Sequence, residues 1–582
     1  MAIGPTLTTT DVDQDLFGGN DDDTLIAAHT GASIFGGNGN DLLKSDFDGF
    51  TSADLSFFGQ ADDDHLVATP GVTESARLVL DGGSGDDVIE AEPYFVYDGS
   101  TYYGTLETII DASYGDDVIT ARADLDEYDG TASNFVDGGG GADSIDVFAA
   151  TAFYGFASEA HNTVEGGAGD DLIRARVEGI SNGGDEVSNV IAGGLGDDDI
   201  EASAIAASNS STQYVKQEVS GGAGSDRLIG WLESEDDGSV VATMAIDGGS
   251  GHDTIEASSM LGADYFGFAS NEVTHDLTGG LGRDTINSLI TGSAFGTFLV
   301  TASGGTGSDA ITSLIDLDPE EALGGDPIHN VLSGDLGADT ISATISLTPG
   351  WDIEDTDLLN DVSGGQGGDV LEAEIYLDLS DADLWDDTFT VGGNVLDGGT
   401  GNDTLVARIM IEGAEDDITF IASSSLYGGD GRDTLTAIGG SGNLLDGGAH
   451  NDILIGSEAD DTLIGGLGAD RMTGGLGEDT FVFDVLEKTY RRDRVMDFES
   501  GVDTIELATA AFTALADYGT GALASGELAY ARNATTPDEH LFYDQTSGIL
   551  YYDADGSGSG DKVQIAIFED RPVIEASDIF LV

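Results

Sequence analysis

Cysteine is absent from the 582 residues, so disulfides, zinc–thiolate centres and iron–sulfur clusters are excluded. That absence is usual in the cytosol, and it equally suits an export route that never oxidises thiols. Proline is scarce, 8 residues against 87 glycines, too little and with the wrong period for collagen. Cations are scarce as well: 18 Lys and Arg face 111 Asp and Glu, for a formal net charge of -93. Such a chain repels nucleic acid and anionic lipid, which makes both poor candidate partners. No apolar run reaches the ~18 residues of a membrane span. Met1-Ala2-Ile3-Gly4-Pro5 has neither the basic n-region nor the apolar h-region of a cleaved signal.

What is present has to overcome that charge. Acidic composition with few aromatics can mean disorder, yet 40% of the residues are hydrophobic and fall in short β-branched bursts. A chain that can bury a core while carrying this charge needs counter-cations. Carboxylates and backbone carbonyls are hard oxygen donors, which suit Ca²⁺.

Internal repetition organises the sequence. The unit reads G-G-x-G-x-D-x-(Ile/Leu/Val). Clean copies are Gly82 to Ile89, Gly166 to Ile173, Gly248 to Ile255, Gly279 to Ile286, Gly304 to Ile311, Gly398 to Leu405 and Gly428 to Leu435. With degenerate copies there are about twenty. Gly59 to Leu66 has Gln60 and Asp62 in place of glycines, and Ala112 to Ile119 and Gly456 to Leu463 are also incomplete. The first copies begin at Gly18 and Gly36, and the final four at Gly447, Gly456, Gly465 and Gly474, nine residues apart. Between Gly82 and Gly428 the units are longer. They share a second half that opens on a polar stretch and alternates into the next Gly-Gly, as in Asn162-Thr163-Val164-Glu165, Asn189-Val190-Ile191-Ala192 and Asn330-Val331-Leu332-Ser333.

Each glycine-rich hexad reads as a turn, because positive φ and close backbone approach favour glycine. The residues after it alternate, as in Thr254-Ile255-Glu256-Ala257, which predicts a strand with one buried face. Strand, loop, strand and turn make one coil, and only a stack of coils buries its apolar face. The expected fold class is all-β: a parallel β-solenoid or β-roll with calcium-binding Gly-Asp turns, then a small β-rich C-terminal domain. The spacing predicts a long-period solenoid over 1–446 with one calcium edge, and a nonapeptide β-roll over 447–480 with calcium on both edges.

Stacking places the sixth-position Asp of one turn about 4.8 Å from that of the next. Two carboxylates so close repel unless a cation lies between them. Turn carbonyls add oxygen ligands, and Ca²⁺ accepts six to eight oxygens in flexible geometry where Mg²⁺ demands a tight octahedron. The candidate ligands for multiple Ca²⁺ ions are Asp23, Asp41, Asp87, Asp117, Asp143, Asp171, Asp198, Asp226, Asp253, Asp284, Asp309, Asp339, Asp369, Asp403 and Asp433, with Asp452, Asp461, Asp470 and Asp479 in the nonapeptide tract. A single Gly-Asp pair would be an ordinary β-turn; copies in phase with apolar strands are not.

The pattern resembles the RTX (hemolysin-type) calcium-binding repeat family, most closely from Gly447 to Phe481 and, with insertions, from Gly18 to Leu435. The resemblance implies export of the unfolded chain through a type I secretion machinery and folding on extracellular calcium, at or beyond the cell surface of a Gram-negative bacterium. The block 481–582, with Asp493-Arg494-Val495-Met496-Asp497-Phe498, Leu550-Tyr551-Tyr552-Asp553-Ala554-Asp555-Gly556 and the terminal Asp578-Ile579-Phe580-Leu581-Val582, resembles the C-terminal domain of serralysin-type proteins, which implies an uncleaved secretion signal and cap. Its cluster Lys488, Arg491, Arg492 and Arg494 is read either as part of that block or as a salt-bridge cap on the last acidic turns. Asp553-x-Asp555-Gly556-Ser557 is read as a hairpin turn, since an EF-hand would want Glu where Gln564 stands.

No catalytic constellation is found: H-E-x-x-H, G-x-S-x-G, Walker A and a Cys nucleophile are all missing. The eight His, among them His252 and His450 inside turns, are read as surface residues rather than ligands. The expectation is therefore not an enzyme. It is a calcium-dependent structural protein (S-layer, extracellular matrix or filament subunit) that assembles with other copies. The alternative is an adhesin or module binding cell-surface glycan through loop aromatics such as Tyr94-Phe95-Val96-Tyr97, Tyr102-Tyr103 and Tyr265-Phe266. A polysaccharide-acting enzyme on a β-solenoid is the third reading.

Overall fold

Alternation with period two, restarted by a glycine turn at each repeat, gives strands with one apolar face and parallel partners. The structure, a computed structural model, describes residues 3–96, 103–125, 128–151, 158–180, 184–207, 212–235, 239–262, 271–293, 296–319, 326–349, 357–380, 388–413, 419–486, 492–558 and 560–582. Two compact units divide the chain: Met1–Gly305 with Asp316–Glu321, and Thr306–Ile315 with Ala322–Val582.

In the first unit each coil contributes one strand after its turn and one before the next. The post-turn strands Val118–Asp124, Ser144–Ala150, Leu172–Ile180, Asp199–Ala207, Arg227–Glu235 and Thr254–Leu261 pair in parallel, each with the next. The pre-turn strands Tyr103–Asp111, Asp129–Gly140, Glu159–Ala168, Glu186–Leu195, Gln213–Ala223 and Val240–Gly251 do the same on the other side. The register brings the eighth-position residues Ile119, Ile145, Ile173, Ile200, Leu228 and Ile255 into one column, all buried. Burying each such side chain contributes about 1.5–3 kcal/mol. The nearly all-β, parallel solenoid expected from the sequence is the fold observed.

The second unit repeats this plan and then narrows. Its post-turn strands Thr340–Leu347, Val370–Asp378, Thr404–Glu412 and Thr434–Gly439 give way to Ile453–Ile455 and Arg471–Thr473. The pre-turn strand Thr419–Tyr427 is followed by Leu444–Asp446, Thr462–Ile464 and Thr480–Phe483. Where the sequence period drops to nine, the strand shrinks to three or four residues and both ends of each strand meet a turn.

After Phe483 both sheets continue without glycine repeats. Asp493–Val495 stacks on Arg471–Thr473, and Thr504–Leu507 on Thr480–Phe483. The pairing then turns antiparallel: Leu541–Asp544, Ile549–Tyr552 and Val563–Phe568 form a meander, and Gly521–Ala522 runs antiparallel to Ile579–Leu581. Asp553-Ala554-Asp555-Gly556 lies in the hairpin between Tyr552 and Val563, as read from the sequence. Among the described residues, no helix is long and apolar enough to cross a membrane.

Candidate metal centre

The turns are held by backbone bonds that run along the stack. Third-position N–H groups donate to second-position carbonyls one layer before, as Tyr114 N to Gly83 O at 3.1 Å and Gly140 N to Ser113 O at 2.9 Å. In the turn from Gly166 to Asp171, layers this close leave no room for side chains at two positions. A Cβ on Gly167 (φ +109°) would lie 2.1 Å from the Gly139 oxygen, and one on Gly169 (φ +142°) 1.7 Å from the Gly141 oxygen. Glycine is therefore required twice over, by torsion and by space.

The sixth-position Asp points inward from this turn. In the first unit each donates its own N–H to the Oδ1 of the Asp one layer on, at 2.6–2.9 Å: Asp23 to Asp41, Asp41 to Asp64, Asp64 to Asp87, Asp87 to Asp117, Asp117 to Asp143, Asp143 to Asp171, Asp171 to Asp198, Asp198 to Asp226, Asp226 to Asp253 and Asp253 to Asp284. In the second unit the same bond joins Asp309, Asp339, Asp369, Asp403, Asp433, Asp452, Asp470 and Asp493, at 2.7–3.0 Å. Asp461, Asp479 and Asp503 form a second column on the opposite edge, at 2.9 and 3.1 Å. Every sequence-predicted ligand thus falls in one of these columns. Three members were not among them: Asp64, in a turn without its inner glycines, and Asp493 and Asp503, past the last repeat. For Asp64 the sixth-position phase could have found it; for the other two only the parallel pairing of the final strands does.

These carboxylates are buried: all the sixth-position members from Asp23 to Asp479 are at most 5% exposed. One oxygen takes the neighbour's N–H. The other, Oδ2, has no hydrogen-bond partner in Asp41, Asp64, Asp87, Asp117, Asp143, Asp171, Asp198, Asp226, Asp253, Asp339, Asp369, Asp403, Asp433 and Asp452. A buried unpaired carboxylate oxygen is costly, and its recurrence through these layers signals a missing partner. Burial, offset in part by the N–H bond and reinforced by the carboxylates above and below, pushes the pKa up to about 6 at Asp41, Asp87, Asp339 and Asp403. It reaches about 7 at Asp117, Asp143, Asp198 and Asp479, and about 8 at Asp64 and Asp452.

The donor set is all oxygen, which fits a hard divalent cation. Among the described residues no three His, Asp or Glu side chains converge on one point. A cation held here would therefore take carboxylate oxygens from adjacent layers and complete its shell with turn carbonyls.

A different column runs through the interior. Asn134, Asn162 and Asn189 in the first unit, and Asn330, Asn360 and Asn394 in the second, are fully buried. The Nδ2 groups of Asn134, Asn162, Asn330 and Asn360 donate to the next amide Oδ1 at 2.8–3.0 Å, while Asn394 donates to Ser424 Oγ at 3.3 Å and Asn189 to the carbonyls of Ala175 and Ser203 at 3.4 and 3.0 Å. Each also donates to a facing-strand carbonyl 14 residues on, as Asn162 Nδ2 to Arg176 O at 2.8 Å and Asn360 Nδ2 to Glu374 O at 3.0 Å. The polar stretch that the sequence suggested is thus a core ladder.

Further readings are corrected or located. His275 is not a surface residue: it occupies the interior column with a Ser259 Oγ and a Ser288 Oγ each 2.8 Å from a ring nitrogen, and burial lowers its pKa to about 3. His252 does sit exposed in its turn, where Nδ1 accepts Arg283 N–H at 2.8 Å. Phe95 stacks on Tyr128 with centroids 4.5 Å apart, while Tyr94 and Tyr103 are exposed; Tyr97, Tyr102, Tyr265 and Phe266 lie outside the described residues. Of the basic cluster, Arg494 pairs with Glu569 of the C-terminal block, and Lys488 and Arg491 lie outside the described residues.

The fold and its edges define a parallel β-solenoid with stacked Gly-Asp turns. A sequence model of the RTX calcium-binding nonapeptide repeat matches four stretches, 79–92, 156–176, 390–408 and 446–481, so the chain carries repeats of that family. No curated protein matches the chain.

Proposed function

We propose that the chain is a secreted, calcium-dependent structural protein: a subunit of an S-layer, extracellular matrix or filament whose stacked turns fold and hold their form by binding Ca²⁺. The carrying observation is the column of buried carboxylates, in which Asp41, Asp87, Asp143, Asp198, Asp339, Asp403 and others keep one oxygen unpartnered, beside repeats of a calcium-binding family. The candidate Ca²⁺ ligands are the sixth-position Asp residues with turn carbonyls, on one edge before residue 447 and on both edges over 447–480. Without the ion, the carboxylates repel and the chain resists collapse; with it, binding free energy becomes folding free energy.

Proteins with such repeats are usually secreted, and a repeat fold of this kind is typically structural. The block 481–582 serves in this reading as cap and type I secretion signal. Electron microscopy of the purified chain tests the assembly role: ordered sheets or filaments are expected in Ca²⁺ and should vanish in chelator. Rods that stay monomeric in Ca²⁺ would sink it. Exposed Tyr94 and Tyr103 favour the adhesin reading, for which a glycan array is the test.

A further inference from the structure

The turn from Gly59 to Asp64 departs from every clean copy, with Gln60 and Asp62 at the second and fourth positions. Its backbone nevertheless makes the turn, at φ +85° for Gln60 and +73° for Asp62. Left-handed torsions are disfavoured for residues that carry a Cβ, least so for Asp, and residues held there cluster at functional sites. The layer is in full register. Asp41 N–H donates to Asp64 Oδ1 at 2.8 Å and Asp64 N–H to Asp87 Oδ1 at 2.7 Å. Asp64 is 2% exposed, and its Oδ2 has no partner.

Asp62 brings what no glycine can. Its Oδ2 accepts the Gly39 N–H of the preceding layer at 3.0 Å, which aims the carboxylate toward the turn of Asp41. The next residue is tied in the same direction, with Asn40 Nδ2 donating to Asp63 Oδ2 at 3.3 Å. The negative charge of Asp62 bears on both Asp41 and Asp64.

We infer that the Gly59–Asp64 turn, which lacks both inner glycines, is a divalent-cation site in its own right, and that Asp62 makes the ion between the Asp41 and Asp64 layers the most tightly held of the column. This rests on the reading of the column as a calcium edge. It has an unusual corollary: restoring the repeat's glycine at position 62 weakens binding. Asp62 acts through its charge rather than as a third carboxylate ligand: an added negative charge near a divalent ion strengthens its hold.

The test is to load the full chain with Ca²⁺, equilibrate it against a graded series of chelator-buffered free calcium, and count the ions retained per chain by atomic emission. Asp64→Asn should bind at least one ion fewer than the parent at saturating calcium. Asp62→Gly, whose new glycine accepts φ +73° without strain, should fold as the parent does. It should release its last ion at about tenfold higher free calcium. Full loading of Asp64→Asn would overturn the site, and an unchanged or tighter last ion in Asp62→Gly would overturn the role of Asp62. If the parent chain itself retained no calcium, the fault would lie with the calcium edge as a whole rather than with this turn.

Discussion

Two stacked polar columns run through the second unit, one of carboxylates and one of amides, and they solve the same problem by opposite means. The amide column Asn330, Asn360 and Asn394 lies in mid-strand, where the backbone is already paired and the side chain enters the core. An amide can donate twice and accept, so each satisfies its neighbour and a facing carbonyl without help. A carboxylate can only accept, so the column Asp339, Asp369 and Asp403 keeps one oxygen unpartnered per layer. The first column is complete as protein; the second is complete only with a counter-ion or a proton.

The two chemistries meet in a single column. Asn394 stacks on Ser424, Ser424 N–H donates to Asn443 Oδ1, and Asn443 donates both its backbone N–H and its Nδ2 to Asp461 Oδ1 at 2.8 Å. From Asp461 onward the same column is carboxylate. The change falls where the pre-turn strand shortens from Thr419–Tyr427 to Leu444–Asp446, so that mid-strand becomes turn.

Removing calcium should separate the columns most sharply. Far-UV circular dichroism in chelator at pH 8 should lose most of the β signal and regain it on adding Ca²⁺; a spectrum indifferent to calcium would break the comparison. Acid should partly replace the metal. Asp41, Asp64, Asp87, Asp117 and Asp452 have folded pKa values raised to about 6–8. The metal-free fold is therefore favoured below the ordinary carboxylate range near 4 and loses that stability as pH rises through 6–8. A chelator-treated sample titrated from pH 5 to 8 should unfold on the way up; unfolding on the way down instead would contradict the burial of these groups. In saturating calcium the trend should reverse, since protons compete for the ligands.

Single substitutions sharpen the contrast. Asn360→Asp puts a charge between two amides with no cation site, and should cost about 3 kcal/mol or more in calcium, read by denaturant unfolding. Asp369→Asn keeps the Oδ1 that accepts Asp339 N–H but removes one carboxylate. It should destabilise the calcium form by about 1–3 kcal/mol and stabilise the metal-free form. The same sign in both states would mean that the carboxylate acts only as a hydrogen-bond acceptor. Asp461→Asn should have the smallest effect, extending the amide column by one layer and lowering calcium uptake while the wide layers stay folded.

Much of this was legible in the sequence. Gly-Gly-x-Gly-x-Asp fixes torsion, close approach and one inward carboxylate at a constant phase, so the columns through Asp87, Asp171 or Asp403 could be numbered before any fold was known. The halved spacing from Gly447 likewise announced alternate edges, with Asp452 and Asp470 on one column and Asp461 and Asp479 on the other. Asp64 was hidden because its turn reaches the same torsions without glycine. Asp493 and Asp503 were hidden because they join the columns through parallel pairing of Asp493–Val495 and Thr504–Leu507, not through a motif. The Asn residues were visible only as part of a polar stretch, since a polar residue gives no sign that its partner waits one layer away.

The sequence by itself determined the period, the turns and the demand for cations, because those depend on torsion, spacing and charge within one repeat. Only the tertiary structure decided which polar residues face each other across layers, because a column exists only once neighbouring coils are in register. That register made Asn162, Asn360 and His275 core residues, and it left the Asp columns with oxygens that no group of the protein fills.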